Sequence, residues 1–257
     1  MNETIDLLMS RTSERSYAKR EISEVEKNLI IQCAMRAPTA GNMTLYSVLE
    51  ADQQQRQRLS ITCDNQPFIA KAPLVLLFLA DVQRWFDYYE LSGVPEKCRE
   101  LGIDFETPQE ADLMLACCDA LIAAQNAVVG ADAMQIGSCY IGDIMENYEI
   151  HREMFELPRW VFPITMVCFG HSQRKQRKPS VVPRFPQESV HYKSHYKRLD
   201  EAGFEKMFED RIRRSQHSGW VKDAENIGQH FYFKKTGSDF FREMRRSVKA
   251  AMVEWLK

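Results

Sequence analysis

From Leu113 to Val129 the chain reads LMLACCDALIAAQNAVV, a helix-length stretch that is nearly apolar all round. A helix with no polar face cannot lie on an ordinary surface, so it belongs in a core or an oligomer interface. Just upstream, Thr107-Pro108-Gln109-Glu110 offers Thr as N-cap, Pro at the first helical position and Glu at the third. The helix is therefore expected to open there and to run to about Ala133.

Two continuous apolar runs, Pro73–Ala80 (PLVLLFLA) and Phe162–Phe169 (FPITMVCF), have the length of strands buried on both faces. Shorter strands are expected at Ser47–Ala51 and at Ser138–Ile141, the latter leading into Gly142. Ile5, Leu8 and Met9 mark a short first helix. Ser23 and Glu26 form a capping box for a second, with Val25, Leu29, Ile30, Cys33 and Ala34 on its apolar face. That helix should stop before Pro38. A glutamine-rich helix follows the first strand. Residues 82–107 carry Trp85, Phe86, Tyr88 and Tyr89 without a clear period, and read as an excursion from the main body. Two amphipathic helices close the chain from about residue 200, one with Phe204, Met207, Phe208 and Ile212. The other starts near Asp239, with Phe241, Met244, Val248, Met252 and Trp255. Without repeats or low-complexity linkers, residues 1–257 read as a single domain.

Charge narrows the function. Thirty-four Lys and Arg against 36 Asp and Glu give −2, which supplies no global attraction to nucleic acid or anionic membrane. The seven cysteines form no C-x-x-C pair, and no zinc-ligand spacing occurs. They suit a reducing compartment, and with no secretory h-region the expectation is a cytoplasmic protein. G-x-S-x-G, H-E-x-x-H, the P-loop and G-x-G-x-x-G are all missing. An enzyme of this kind would take its chemistry from a cofactor, and no catalytic side chain is nominated.

Four polar segments could bind one. Arg11-Thr12-Ser13-Glu14-Arg15-Ser16 sets two guanidinium forks and several hydroxyls directly after a helix, a suitable cradle for phosphate. Pro38-Thr39-Ala40-Gly41-Asn42 has small side chains and residues tolerant of unusual φ, so its backbone can approach a flat ligand. Tyr140-Ile141-Gly142-Asp143 ends a strand with free backbone amides. The basic stretch Arg174–Arg184 includes Lys175, Arg177 and Lys178. Each segment alone also reads as an ordinary solvated turn, which is the commoner case.

Taken in order, these segments resemble the FMN-dependent nitroreductase superfamily, and within it the NADPH-preferring nitroreductase and flavin reductase branch. The resemblance rests on IDLLMSRTSERSY, MRAPTAGNMTLYSV, DNQPFIAKAP, the long apolar helix, IGSCYIGDI and VPRFP. It implies an α+β fold with a central mixed, mainly antiparallel sheet flanked by helices, in an intertwined homodimer. It further implies FMN at each interface, NADPH or NADH as donor, and a small planar acceptor such as a nitroaromatic, quinone or flavin, reduced in ping-pong order. By the same resemblance Arg11, Ser13 and Arg15 hold the FMN phosphate and ribityl chain, with Thr12 contributing backbone. Pro38, Thr39, Gly41 and Asn42 approach from the other subunit, Gln66 reaches the pyrimidine edge, and Tyr140, Ile141, Gly142 and Asp143 lie beside the ring. Lys234 and Lys235 are cationic candidates for the dinucleotide phosphate.

Two departures stand out. Val182-Pro183-Arg184 replaces a Lys-Pro-Arg run, so Arg184 carries over and the lysine does not, unless Lys178 substitutes. Asp143 stands where a glycine is common. A specialised flavin dehydrogenase or dehalogenase on this scaffold, and a non-catalytic FMN-binding sensor, are the alternative readings. A basic-loop nucleic-acid binder is a distant third.

Overall fold

The computed structural model describes residues 2–173, 181–215 and 219–257. Contacts divide the chain into two units, one of residues 1–179 with 243–257, the other of residues 180–242.

The first unit is built on a four-stranded sheet: β1 (Tyr46–Glu50), β2 (Leu74–Asp81), β3 (Ile136–Ile141) and β4 (Val161–His171), in spatial order β1-β2-β4-β3. All strand pairs are antiparallel. Among the described residues, the one parallel element is a bridge between Ser13 and Ser138 on the outer edge of β3. Every residue of β2 is buried, and the pleat explains its unbroken apolar run. Val75, Leu77 and Leu79 enter one core cluster, while Leu74, Leu76 and Phe78 enter the cluster on the opposite face. Each fully buried Leu or Phe contributes roughly 1.5–3 kcal/mol. The register slips between Phe78 and Leu79, where Thr165 and then Pro163 stand opposite. Pro163 has no N–H for the ladder, and Ile164 is the extra residue of the bulge.

Helices cover both faces. They are α1 (Glu3–Ser10), α2 (Glu24–Met35), α3 (Gln53–Thr62), α4 (Phe68–Lys71), α5 (Gln83–Leu91), α6 (Val94–Leu101), α7 (Glu110–Ala133) and α8 (Tyr148–Met154). The Ser23–Glu26 capping box forms as expected. The start of α7 differs from the expectation. Thr107-Pro108 stays extended, and Gln109 is the N-cap, its N–H donating to the Asp112 carboxylate at 2.8 Å. A carboxylate three residues past Gln109 fixes the cap two residues later than Thr107-Pro108 suggested. Residues 82–107, read as aperiodic, hold α5 and α6, separated at Gly93 with φ 72°.

Helix α7 is buried along one side only. Its inner stripe of Ala116, Ala120, Ala123, Ala124, Ala127, Val128 and Ala131 packs on the sheet and α2, and it also buries Asp119 and Asp132. Met114, Leu115, Leu121 and Ile122 on its other side stay exposed. The helix is long and apolar enough to span a bilayer, yet its small residues are spent on close packing against protein. Its Gly130 shows the fit, since a Cβ there would lie 2.5 Å from Cys33 Sγ on α2.

The second unit holds α9 (Glu201–Ser215), α10 (Ile227–Phe231) and a π turn at Tyr232–Thr236. The last helix, α11 (Asp239–Trp255), begins in this unit and ends in the first.

Candidate functional site

After α1 the chain passes from the free edge of β3 to the end of β4. Glu14 N–H donates to Ser138 O at 2.9 Å, and Ala18 N–H to His171 O at 2.8 Å. Tyr17 forms a second bridge, to Ser172, and lies against Gly170, where a Cβ would come within 2.5 Å of its ring. Its hydroxyl donates to Glu14 O at 2.9 Å. Backbone pairing and a buried ring thus hold residues 13–18 rigidly against the sheet.

That anchoring sets Arg11, Ser13 and Arg15 beside the second half of β3. Ser13 and both guanidinium groups act on the Cys139 thiol, opposing the burial that pushes its pKa up. Burial pushes Tyr140 up to about 12 against the charge of Arg11, and its hydroxyl donates to Gln125 at 3.2 Å. Arg15 lies 5.8 Å from the Phe68 ring centroid, which brings in the loop that carries Gln66. Gln66 itself donates its amide N–H to Cys63 O at 3.0 Å, leaving its carbonyl oxygen for another partner.

Beyond β3, Gly142–Met145 forms a 3-10 turn that is fastened from below. His151, fully buried, joins Ile144 O at 2.8 Å and Thr62 Oγ1 at 2.9 Å. Burial lowers its pKa, so the neutral ring donates from Nδ1 to the carbonyl. Glu146 is buried, with one carboxylate oxygen unpartnered. Desolvation first, then Asp143, Asp64 and Glu243, push its pKa up to about 7. Sequence reasoning missed both residues, because neither belongs to a recognisable local pattern.

Two features fit this edge to a flat, anionic cofactor. Arg11 Nη1 is buried without a hydrogen-bond partner, an expensive state that an anion would relieve. A Cβ on Gly142 would meet only Met145 Cε, at 4.0 Å, so the backbone there faces open space.

The loop Pro38–Asn42 is organised elsewhere. Its partner is Asp119 on α7, which receives the Thr39 hydroxyl, Ala40 N–H at 3.1 Å and Leu45 N–H at 3.2 Å. Among the described residues, none of its hydrogen bonds runs to the Arg11–Arg15 segment. Arg184, in the second unit, lines a cavity of about 350 Å³ with Phe185, Met207 and Arg211. Lys175, Arg177 and Lys178 lie outside the described residues. No group of three or more His, Cys, Asp or Glu among the described residues could hold a metal ion.

A sequence model of the Nitroreductase family matches residues 8–171, which contain all of this first-unit machinery except the last helix. The chain belongs to the nitroreductase family. It is 29% identical over 197 residues to the FMN reductase (NADPH) of Bacillus subtilis, covering 76% of this chain and 75% of that one. Against the oxygen-insensitive NADPH nitroreductase of Salmonella typhimurium, identity is 28% over 202 residues, 78% of each chain. The solved structure of B. megaterium NfrA2 superposes with a TM-score of 0.79 at 25% identity, over 98% of both chains. The parallel bridge between Ser13 and Ser138 lies within this family match. It pins the arginine-bearing segment that opens the family's match to the strand in the match's second half.

Proposed function

We propose that this nitroreductase-family chain is an FMN-dependent NAD(P)H oxidoreductase acting on small planar acceptors, namely nitroaromatics, quinones or flavins. The observation that carries the reading is the buried, unpartnered Arg11 Nη1, held with Ser13 and Arg15 along β3. The names of the relatives, an FMN reductase and an NADPH nitroreductase, support it. The chemistry that FMN supplies when bound is hydride acceptance from NAD(P)H and two-electron delivery to an acceptor, in ping-pong order.

The chain's own residues bind, orient and shield. Arg11, Ser13 and Arg15, with the Thr12 backbone, neutralise the phosphate and order the ribityl chain. Gln66 presents its free carbonyl oxygen to the pyrimidine edge. Tyr140, Ile141, Gly142 and Asp143 border the ring, with the His151 anchor keeping their turn in place. Pro38, Thr39, Gly41 and Asn42 reach the flavin held by the other subunit of a homodimer. Arg184 remains a proposed phosphate contact, and Lys234 and Lys235 remain proposed donor contacts. Residues 1–257 then act as one FMN-binding protein, with 82–107 as an accessory excursion.

Exposed apolar surface supports the homodimer. Ile5, Leu8 and Met9 on α1 and Met114, Leu115, Leu121 and Ile122 on α7 are 41–70% exposed in the single chain. α1 packs beside α7, so these residues form a surface that a second copy would bury. All seven cysteines are free, which suits a reducing cytoplasm.

The test is the visible spectrum of the purified protein, repeated anaerobically with NADPH and with NADH. A flavin spectrum that bleaches with a donor and recovers on adding a nitroaromatic or quinone supports the reading. Bound flavin that neither donor bleaches favours a sensor. Absence of flavin after reconstitution with FMN overturns the proposal.

A further inference from the structure

Asp119 sits within the apolar stretch of α7 at 3% exposure, where an alanine like its neighbours would pack more simply. A buried carboxylate is costly unless its lone pairs are filled, and here they are filled by one loop. Oδ2 accepts from the Thr39 hydroxyl and from Leu45 N–H; Oδ1 accepts from Ala40 N–H. Thr39 Oγ1 in turn accepts Thr44 N–H at 2.8 Å. The carboxylate therefore fixes both ends of the 39–45 turn.

That turn needs fixing. Gly41, Asn42 and Thr44 all have left-handed φ, at 55°, 59° and 54°. The conformation is easy for glycine, tolerated by asparagine and strained for β-branched threonine. Strained backbone persists only where its surroundings over-determine it. Besides Asp119, Arg84 donates to Thr44 O at 3.0 Å and Trp85 Nε1–H to Met43 O at 2.8 Å. The helix side of the anchor is equally specific. Asp119 sits at the border of the buried side of α7, and Leu115 and Ile122, four residues before it and three after, are its neighbours on the exposed side. One helix thus carries the loop's anchor directly beside its exposed apolar surface.

We propose that Asp119 is a positioning residue for flavin binding: its carboxylate, on the helix whose exposed side chains form the dimer surface, holds the 39–45 loop in the shape that meets the other subunit's flavin. This rests on the flavin and dimer reading given above. FMN affinity and dimer stability are then coupled through this carboxylate, and the coupling is reciprocal.

The experiment compares wild type with Asp119→Asn and Asp119→Ala by three measurements. These are FMN titration followed by flavin fluorescence, amide exchange of the FMN-free protein, and the dimer dissociation constant with and without FMN. We expect Asp119→Ala to weaken FMN binding by about tenfold or more, with Asp119→Asn between it and wild type. Faster exchange should be confined to Ala40, Thr44 and Leu45, and FMN should tighten the variant dimer less than the wild-type dimer. A purely structural role would speed exchange throughout the sheet and leave the coupling intact, which would overturn the proposal. So would an alanine variant that binds FMN within about twofold of wild type. If the alanine variant does not fold, Asp119→Asn, which keeps one acceptor oxygen and replaces the other with a donor, carries the same outcomes. Wild type that binds no FMN sinks the functional reading itself, a result distinct from equal binding by wild type and variants.

Discussion

Ser13 pairs in parallel with Ser138, and the next residue, Glu14, donates its N–H to Ser138 O at 2.9 Å. This short pairing positions the arginines that flank Ser13. Glu14→Pro deletes the donor, together with the carboxylate that accepts Ser16 N–H at 3.0 Å, and keeps Arg11 and Arg15. We expect FMN affinity to fall by about tenfold, with far-UV circular dichroism unchanged. Isothermal titration with FMN measures it, and wild-type affinity in the variant would refute the anchoring role.

Gly170 lies under Tyr17 so closely that a methyl group would stand 2.5 Å from Tyr17 Cδ1 and 2.8 Å from Pro73 Cδ. Gly170→Ala must push the ring off the sheet. Urea unfolding should show a loss of roughly 1–3 kcal/mol. A smaller Tyr17→Leu penalty in the Gly170→Ala background than in wild type would locate the strain at that contact.

Glu146 gives a pH signature. Its folded pKa of about 7 lies above the ordinary carboxyl value of 4.5, because burial and neighbouring carboxylates disfavour the charge. The folded state therefore holds an extra proton between these values, and stability falls as pH rises through that window. Glu146→Gln should abolish this slope and stabilise the protein by roughly 1–2 kcal/mol near pH 8, after discounting for solvent screening. Thermal midpoints measured from pH 5 to 8.5 test it; parallel curves for variant and wild type would count against it.

Arg246 makes a bidentate pair with Glu149 at 2.8 and 2.9 Å, and both side chains are about half exposed. The guanidinium hydrogen bonds hold Glu149 at about 2, below the ordinary 4.5. The contribution is present above that ordinary value and is lost as pH falls toward 2. Exposure limits it, so Glu149→Gln should cost less than about 1 kcal/mol at pH 7. The difference from wild type should shrink by pH 3 in urea titrations. A penalty that persists in acid would assign the effect to packing.

The strands were the most readable part of the chain. β2 is apolar at every position because its odd and even residues enter two different core clusters, and the sequence carries that directly. The Arg11–Arg15 and Tyr140–Asp143 segments stand out in the sequence because each concentrates polar or small residues in a few positions, whereas Gln66 enters only through the family resemblance. Asp119 was not. Its three partners lie 74 to 80 residues away, and within its own helix it is one acid in an apolar run. His151 and Glu146 were hidden for the same reason. The cap of α7 was misplaced because Thr107-Pro108 carries a strong local signal that the Asp112 carboxylate overrides. Helices α5 and α6 escaped notice because each is short, and the left-handed Gly93 between them breaks the phase.

Trp255 closes the third core cluster, with Leu45, Ala80, Leu113, Tyr148 and Phe162 around it. Its indole N–H donates to Gln109 O, and its own carbonyl accepts from Trp160 Nε1. The first unit is therefore discontinuous in the chain, with residues 180–242 threaded between its parts. Synthesis from the N-terminus must produce that whole intervening segment before the residue that seals the core exists. Until then the nascent chain has an open apolar seat, and the core of the first unit cannot be completed before the residues of the second have been made.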